Sequence, residues 1–202
     1  MKKIMISFLI GILMVGVTAC GNKTAEKDVT DQFKNSVFMG DSLTEGFVFN
    51  EILPKESVIA GAGTTAGFIY EDLGTLVEKK PDDVFIMLGS IDILMPVEDP
   101  KELFRNDLTK LINKIKEDLP DCKIYLQSIP PVTQDTIKSN SRYEELEEYN
   151  EIVKEVANKL SVNYVDIREL VQENTDIYAE DGIYFKKEFY QLWLKKLSES
   201  LC

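Results

Sequence analysis

The 202-residue chain is 44% hydrophobic and 29% charged, a composition that suits one globular domain of ordinary size with a proper buried core. Its formal net charge is -12 and no Lys/Arg block stands out in its body, which argues against the basic stripe of a nucleic-acid-binding protein and for a solvated acidic surface. It contains no histidine, so any chemistry that needs an imidazole is excluded at the outset.

The N-terminus reads as a targeting segment. Lys2 and Lys3 precede an almost wholly apolar run from Ile4 to Val17, which is short for a membrane-spanning helix. Val17-Thr18-Ala19-Cys20 then resembles the lipobox read by the bacterial lipoprotein machinery. The resemblance implies that residues 1–19 are a lipoprotein signal peptide and that Cys20 carries lipid on its thiol and amine. Two or more acyl chains would hold the protein firmly on the outer face of the bacterial cell membrane. Residues 20–35 are polar and charged without a persistent period, and we read them as the lipidated cysteine and its tether. The folded domain is expected over 36–202.

From Ser36 the chain alternates between two patterns. Short apolar runs over Ser36–Met39, Ser57–Ala60, Val84–Leu88 and Lys123–Ser128 each lead into a Gly or Pro loop, and Asn163–Ile167 is a shorter fifth. Runs apolar on both faces suit strands of a covered parallel sheet. Between them, Leu103, Phe104, Leu108, Leu111, Ile112 and Ile115 keep helical spacing, as do Leu146, Tyr149, Ile152, Val153, Val156 and Leu160. Phe189, Leu192, Trp193 and Leu197 repeat it in a last helix expected over 186–201. The fold class is therefore α/β: a three-layer, doubly wound, flavodoxin-like domain on a five-stranded parallel sheet. Ligands of such sheets bind beyond the C-terminal ends of the strands, where the glycine loops lie. Cys122 and Cys202 fall at the opposite edge, where a disulfide is geometrically conceivable.

Four of these loops carry the chemistry. The first reads Gly40-Asp41-Ser42-Leu43 at the end of the first strand; the second is Gly61-Ala62-Gly63; the third is Gly89-Ser90-Ile91-Asp92; the last is Asp181-Gly182-Ile183-Tyr184. In this order they resemble the blocks of the SGNH (GDSL-type) serine hydrolases. The resemblance covers the chain from about Ser36 onward and implies that Ser42 is the nucleophile. It also implies that Gly63, or less favoured Gly61, is a backbone oxyanion donor and that Asp181 orients the catalytic base. Asp41 is read as support for the turn.

Two positions depart from that pattern. Ile91 stands where the family keeps the Asn that donates to the oxyanion, and losing one such donor typically costs ~10²–10³ in rate. Ser90 beside it is expected to point elsewhere. Tyr184 stands where the family keeps its catalytic His. Phenols titrate near ~10, so only about one in a thousand is ionised at neutral pH, whereas a general base works best with a pKa near the operating pH. Lys186 or Lys187 would serve only if desolvated, and at the start of a helix in an acidic chain both are expected in water. No metal-ligand spacing and no cofactor motif is present.

The expected function is that of a membrane-anchored, esterase-like member of this family, catalytically impaired and retained for binding. An acylated glycan, a cell-wall component or a lipid is the expected ligand. An esterase or carbohydrate O-deacetylase working through Ser42 and an unorthodox base is the alternative, and a scaffold whose cleft is filled by Ile91 and Tyr184 is a third reading.

Overall fold

The structure, a computed structural model, describes residues 29–172 and 175–201. The signal peptide, Cys20 and Cys202 lie outside the described residues, and with them the lipidation and the disulfide considered above. Among the described residues no helix is long and apolar enough to cross a membrane.

Five strands form one parallel sheet: β1 (Ser36–Gly40), β2 (Val58–Ala60), β3 (Asp83–Met87), β4 (Lys123–Gln127) and β5 (Asn163–Val165), in the order β2-β1-β3-β4-β5. The main helices are α1 (Ser42–Phe49), α2 (Leu73–Lys79), α3 (Pro100–Asp118), α4 (Gln134–Ser139), α5 (Leu146–Leu160), α6 (Glu169–Gln172) and α7 (Lys187–Ser198).

Side-chain alternation along the strands divides the core into two layers. Val37, Met39, Val84, Ile86, Ile124 and Leu126 pack on one face against α2, α3 and α5. Phe38, Phe85, Met87 and Tyr125 pack on the other against α1, α6 and α7. On that second face the register pairs Phe38 with Phe85 and Phe85 with Tyr125. Their rings stack across three strands with centroids 5.1 and 4.6 Å apart, in the offset arrangement that aromatic quadrupoles favour. The sheet is thus covered on both faces, which is why its strands read as continuous apolar runs.

Boundaries differ from the sequence reading in places. Phe33 is only 2% exposed and packs edge-on against Phe38 and Phe85, so the folded body begins before Ser36 and takes in the end of the segment read as tether. β5 stops at Val165 because Asp166 leaves the ladder to accept from Ser128 Oγ and from the Arg168 guanidinium. The last helix runs over Lys187–Ser198, shorter at both ends than expected.

Candidate active site at the C-terminal edge of the sheet

β1 delivers Gly40-Asp41-Ser42 to the C-terminal edge. A Cβ on Gly40 would lie 2.1 Å from Thr44 Oγ1 and 2.4 Å from the Met87 carbonyl, so only glycine allows the end of β1, the first turn of α1 and the end of β3 to approach this closely. Asp41 caps α1: its Oδ1 accepts from Leu43 N at 2.9 Å. Its Oδ2 accepts from the Ser90 hydroxyl at 2.5 Å. The side chain is fully buried, and burial raises its pKa to about 6 against the opposing pull of these hydrogen bonds. Ser90 is therefore committed to Asp41, which bolts the third loop to the first.

Ser42 opens α1 and is 8% exposed. Tyr184, 39% exposed, donates its hydroxyl hydrogen to Ser42 Oγ at 2.9 Å. Asp181 is exposed and does not orient that ring through its hydroxyl. Its Oδ1 accepts from the main-chain N–H groups of Ile183 and Tyr184, each at 2.9 Å, the hydrogen-bonding habit of an aspartate that opens a turn. The turn is fixed from outside as well. Thr133 N donates to the Gly182 carbonyl at 2.9 Å, and Thr136 Oγ1 donates to the Asp181 carbonyl at 3.1 Å. Gly182 has φ +69, and a Cβ there would meet Thr133 Oγ1 at 2.2 Å. The tyrosine is thus held from the side of β4 and α4.

The structure separates the two glycines of the second loop. Gly63 has φ +77 and is exposed, whereas Gly61 has an ordinary φ and meets only Thr64 Oγ1, at 3.6 Å, when given a Cβ. This loop is held to the third by Ala66 N, which donates to Asp92 Oδ1 at 3.0 Å. Asp92 is 4% exposed, and its Oδ2 finds no hydrogen-bond partner among the described residues. Burial, with a smaller contribution from the charge of Asp41, raises its pKa to about 7. Ile91 is half-buried at the start of the short 3-10 turn Asp92–Leu94 and brings no donor.

Neither lysine is placed to act on Ser42. Lys186 Nζ is exposed and donates to the Asp176 carbonyl at 2.7 Å, and Lys187 is exposed at the first turn of α7. Among the described residues no group of three or more carboxylate or thiol side chains is arranged to hold a metal ion.

Sequence reasoning assigns no site role to Tyr143 or Tyr190. Tyr143 is buried, and its pKa is raised first by burial and then by the nearby Tyr184, Asp41 and Asp181. It borders a depression of about 520 Å³ whose wall also includes Thr133, Asn140, Asp181 and Ile183. Tyr190 packs its hydroxyl against Gly46 of α1, and its pKa is raised by burial and then by Asp41. Tyr143 carries no motif, whereas Tyr190, downstream of Asp181-Gly182-Ile183-Tyr184, is part of the last block's likeness to the family but has no role assigned by it.

Residues 38–192 match the GDSL-like lipase/acylhydrolase family. The chain belongs to this family. A multidomain esterase of Ruminococcus flavefaciens is 28% identical over 133 residues, which span 61% of this chain and 16% of that much longer relative. Among solved structures, a GDSL-like lipase from Bacteroides thetaiotaomicron superposes with a TM-score of 0.68 at 16% identity, covering 88% of this chain and 95% of the other. The acetylxylan esterase Axe2 of Geobacillus stearothermophilus superposes with a TM-score of 0.60 at 16% identity, covering 81% and 92%. At such identities the likeness is one of fold. In this GDSL-family chain the hydroxyl of Ser42 is hydrogen-bonded to a phenol, that of Tyr184.

Proposed function

We propose that this GDSL-family chain is a membrane-anchored, esterase-like protein that binds an acylated ligand at the C-terminal edge of its sheet and has lost rapid ester turnover. The observation that carries this reading is the hydrogen bond from Tyr184 to Ser42. A serine attacks an ester only as its hydroxyl proton leaves for a base. Here the partner at 2.9 Å is a hydroxyl that donates to the serine oxygen. A phenol is protonated at neutral pH and a poor proton acceptor. Removing the His of a serine triad costs ~10⁶ in turnover in the best-studied case, and Ile91 removes one oxyanion donor besides. Support for the anchor is the lipobox-like Val17-Thr18-Ala19-Cys20, in which Cys20 would carry the lipid.

The ligand class we favour is an acylated glycan or another cell-wall or lipid ester. Its support is the esterase named in the R. flavefaciens relative and the polar wall of the depression beside Tyr143. The fold shared with acetylxylan esterases favours a second reading, carbohydrate O-deacetylation through Ser42 with an unorthodox base.

Fluorophosphonate labelling and aryl-acetate hydrolysis separate the two. The protein is expected to label weakly and to turn over no faster than Ser42→Ala. Strong labelling and turnover that both vanish in Ser42→Ala would overturn the loss of turnover and favour the second reading.

A further inference from the structure

The depression of about 520 Å³ beside Tyr143 shares a wall with the site around Ser42. Asp181 and Ile183 line it, and the same turn carries Tyr184, whose hydroxyl donates to Ser42 Oγ. Across from that turn stand Thr133 and Asn140, which cap the two ends of α4. Three carboxylates border the hollow, those of Asp135, Glu180 and Asp181, and no lysine or arginine lines it. Asp135 is paired with Lys138 at 2.8 Å. Among the described residues Glu180 and Asp181 form no ion pair. Asp181 spends Oδ1 on two main-chain N–H groups, which leaves its Oδ2 to the hollow.

In a chain of net charge -12, exposed carboxylates alone mark no site. The second observation is the Tyr143 hydroxyl. Tyr143 lines the hollow, is only 7% exposed and packs its ring into the core with Leu146 and Tyr149. Its hydroxyl makes no hydrogen bond among the described residues. The phenol oxygens of Tyr149 and Tyr164 are also without partners, but they are sealed inside the core, and that of Tyr143 is not. It feels the charges of Tyr184, Asp41 and Asp181, which sets it at the end of the hollow nearest Ser42. A buried polar atom without a partner is a free-energy cost that native structures rarely leave uncompensated. A ligand with donor hydrogens in the hollow would satisfy it.

We propose that this hollow binds a primary ammonium group of the ligand, held by the carboxylates of Glu180 and Asp181 and by the phenol oxygen of Tyr143. An ammonium is a compact charge with three N–H donors and no acceptor, which suits two carboxylates and a third oxygen around one small space. The inference rests on the proposed function for the rest of the ligand and narrows its class: the acylated molecule at Ser42 carries a free amine close to its ester. Two sources share that chemistry. One is an amino sugar without an acyl group on its nitrogen, and the other is an aminoacyl group esterified to an alcohol.

Ligand-observed saturation-transfer NMR on the full chain in neutral detergent micelles tests this. Three probes are titrated: the methyl glycoside of glucosamine, its N-acetyl counterpart, and alanine methyl ester. At least one amine is expected to bind with Kd ~1 mM, a magnitude ordinary for so small a ligand, and the N-acetyl sugar at least about tenfold more weakly. Binding of the glycoside alone means an amino sugar, and binding of the amino ester alone means an aminoacyl group. Tyr143→Phe is expected to weaken amine binding about fivefold to tenfold. Glu180→Gln, on an exposed side chain that the fold does not need, is expected to weaken it about twofold to fivefold. Glu78→Gln, an exposed carboxylate on α2, is expected to change nothing. Equal binding of the N-acetyl sugar, equal losses in Glu78→Gln and Glu180→Gln, or no binding of either amine overturns the proposal. The serine-labelling and aryl-acetate assays involve no amine, so failure here is distinct from failure of the proposed function.

Discussion

Tyr184 and Ser42 stand 142 residues apart in the chain and share a hydrogen bond of 2.9 Å in which the tyrosine is the donor. A serine that attacks an ester must lose its proton to a neighbour, and under the function proposed above the phenol beside Ser42 is a poor acceptor for it. Asp181, which would orient an imidazole in the family arrangement, here serves the main chain of the same turn.

This relationship predicts the outcome of repair. Tyr184→His combined with Ile91→Asn restores a base and an oxyanion donor to a backbone that already presents Ser42 on α1. Aryl-acetate turnover is expected to rise by ~10² or more over the parent, and Tyr184→Phe is expected to leave it at the parent's level. A folded double variant with no gain would mean that the cleft has diverged beyond these two side chains.

Asp92 should make the fold less stable as pH rises. Its folded-state pKa of about 7 lies well above the ordinary aspartate value of 3.8, so between those values the folded state holds more protons than the unfolded one. Stability falls with pH across that window, and the full cost is present above pH 7. Asp92→Asn keeps an acceptor for Ala66 N and removes the charge. Its Tm is expected to exceed the parent's by about 4–8 °C at pH 8, equivalent to about 2 kcal/mol in a chain of this size, and to converge with it near pH 4. Calorimetry at the two pH values checks this, and a pH-independent difference would refute it.

Ser90→Ala tests the bolt between the first and third loops. The Ser90 hydroxyl lowers the pKa of Asp41, whose net value is raised to about 6 by burial. Without that donor the carboxyl is protonated to higher pH and its ionised form is less well satisfied. The variant is expected to lose about 1–3 kcal/mol at pH 8 and distinctly less at pH 5, where the neutral acid predominates. Urea unfolding at both pH values measures the difference.

Gly46 is required by its neighbour and not by its backbone. A Cβ there would lie 1.9 Å from the Tyr190 hydroxyl oxygen and 2.2 Å from its ring carbon Cζ. Gly46→Ala is expected to cost about 1–3 kcal/mol through overpacking, in spite of alanine's better helix propensity. Adding Tyr190→Phe should not restore the parent's Tm, because the ring carbon remains in the way; full rescue would show that the hydroxyl alone is responsible.

Much of this molecule is legible in its residues. The apolar strand runs, the helical stripes ending in Trp193 and Leu197, and the four loops in order lead to a parallel α/β domain of this family. They do so because burial imposes a period on the chain that a single sequence displays. The bounds of β5 and of the last helix were less legible, since ladders and helix ends respond to side-chain bonds such as those of Asp166. Phe33 was misread for a similar reason: one aromatic in a polar stretch carries no period, and only the rings of Phe38 and Phe85 account for its burial.

Composition by itself determined that no imidazole can serve Ser42, since absence of a residue type needs no coordinates. Only the tertiary structure decided how the site is wired: the Tyr184 hydroxyl on Ser42, Asp181 turned to the main chain, and Ser90 bound to Asp41. Those outcomes depend on directional contacts between loops far apart in the chain. Such contacts are set by sheet register and by tenths of an ångström in loop geometry, and they leave no periodic trace in the residues that make them.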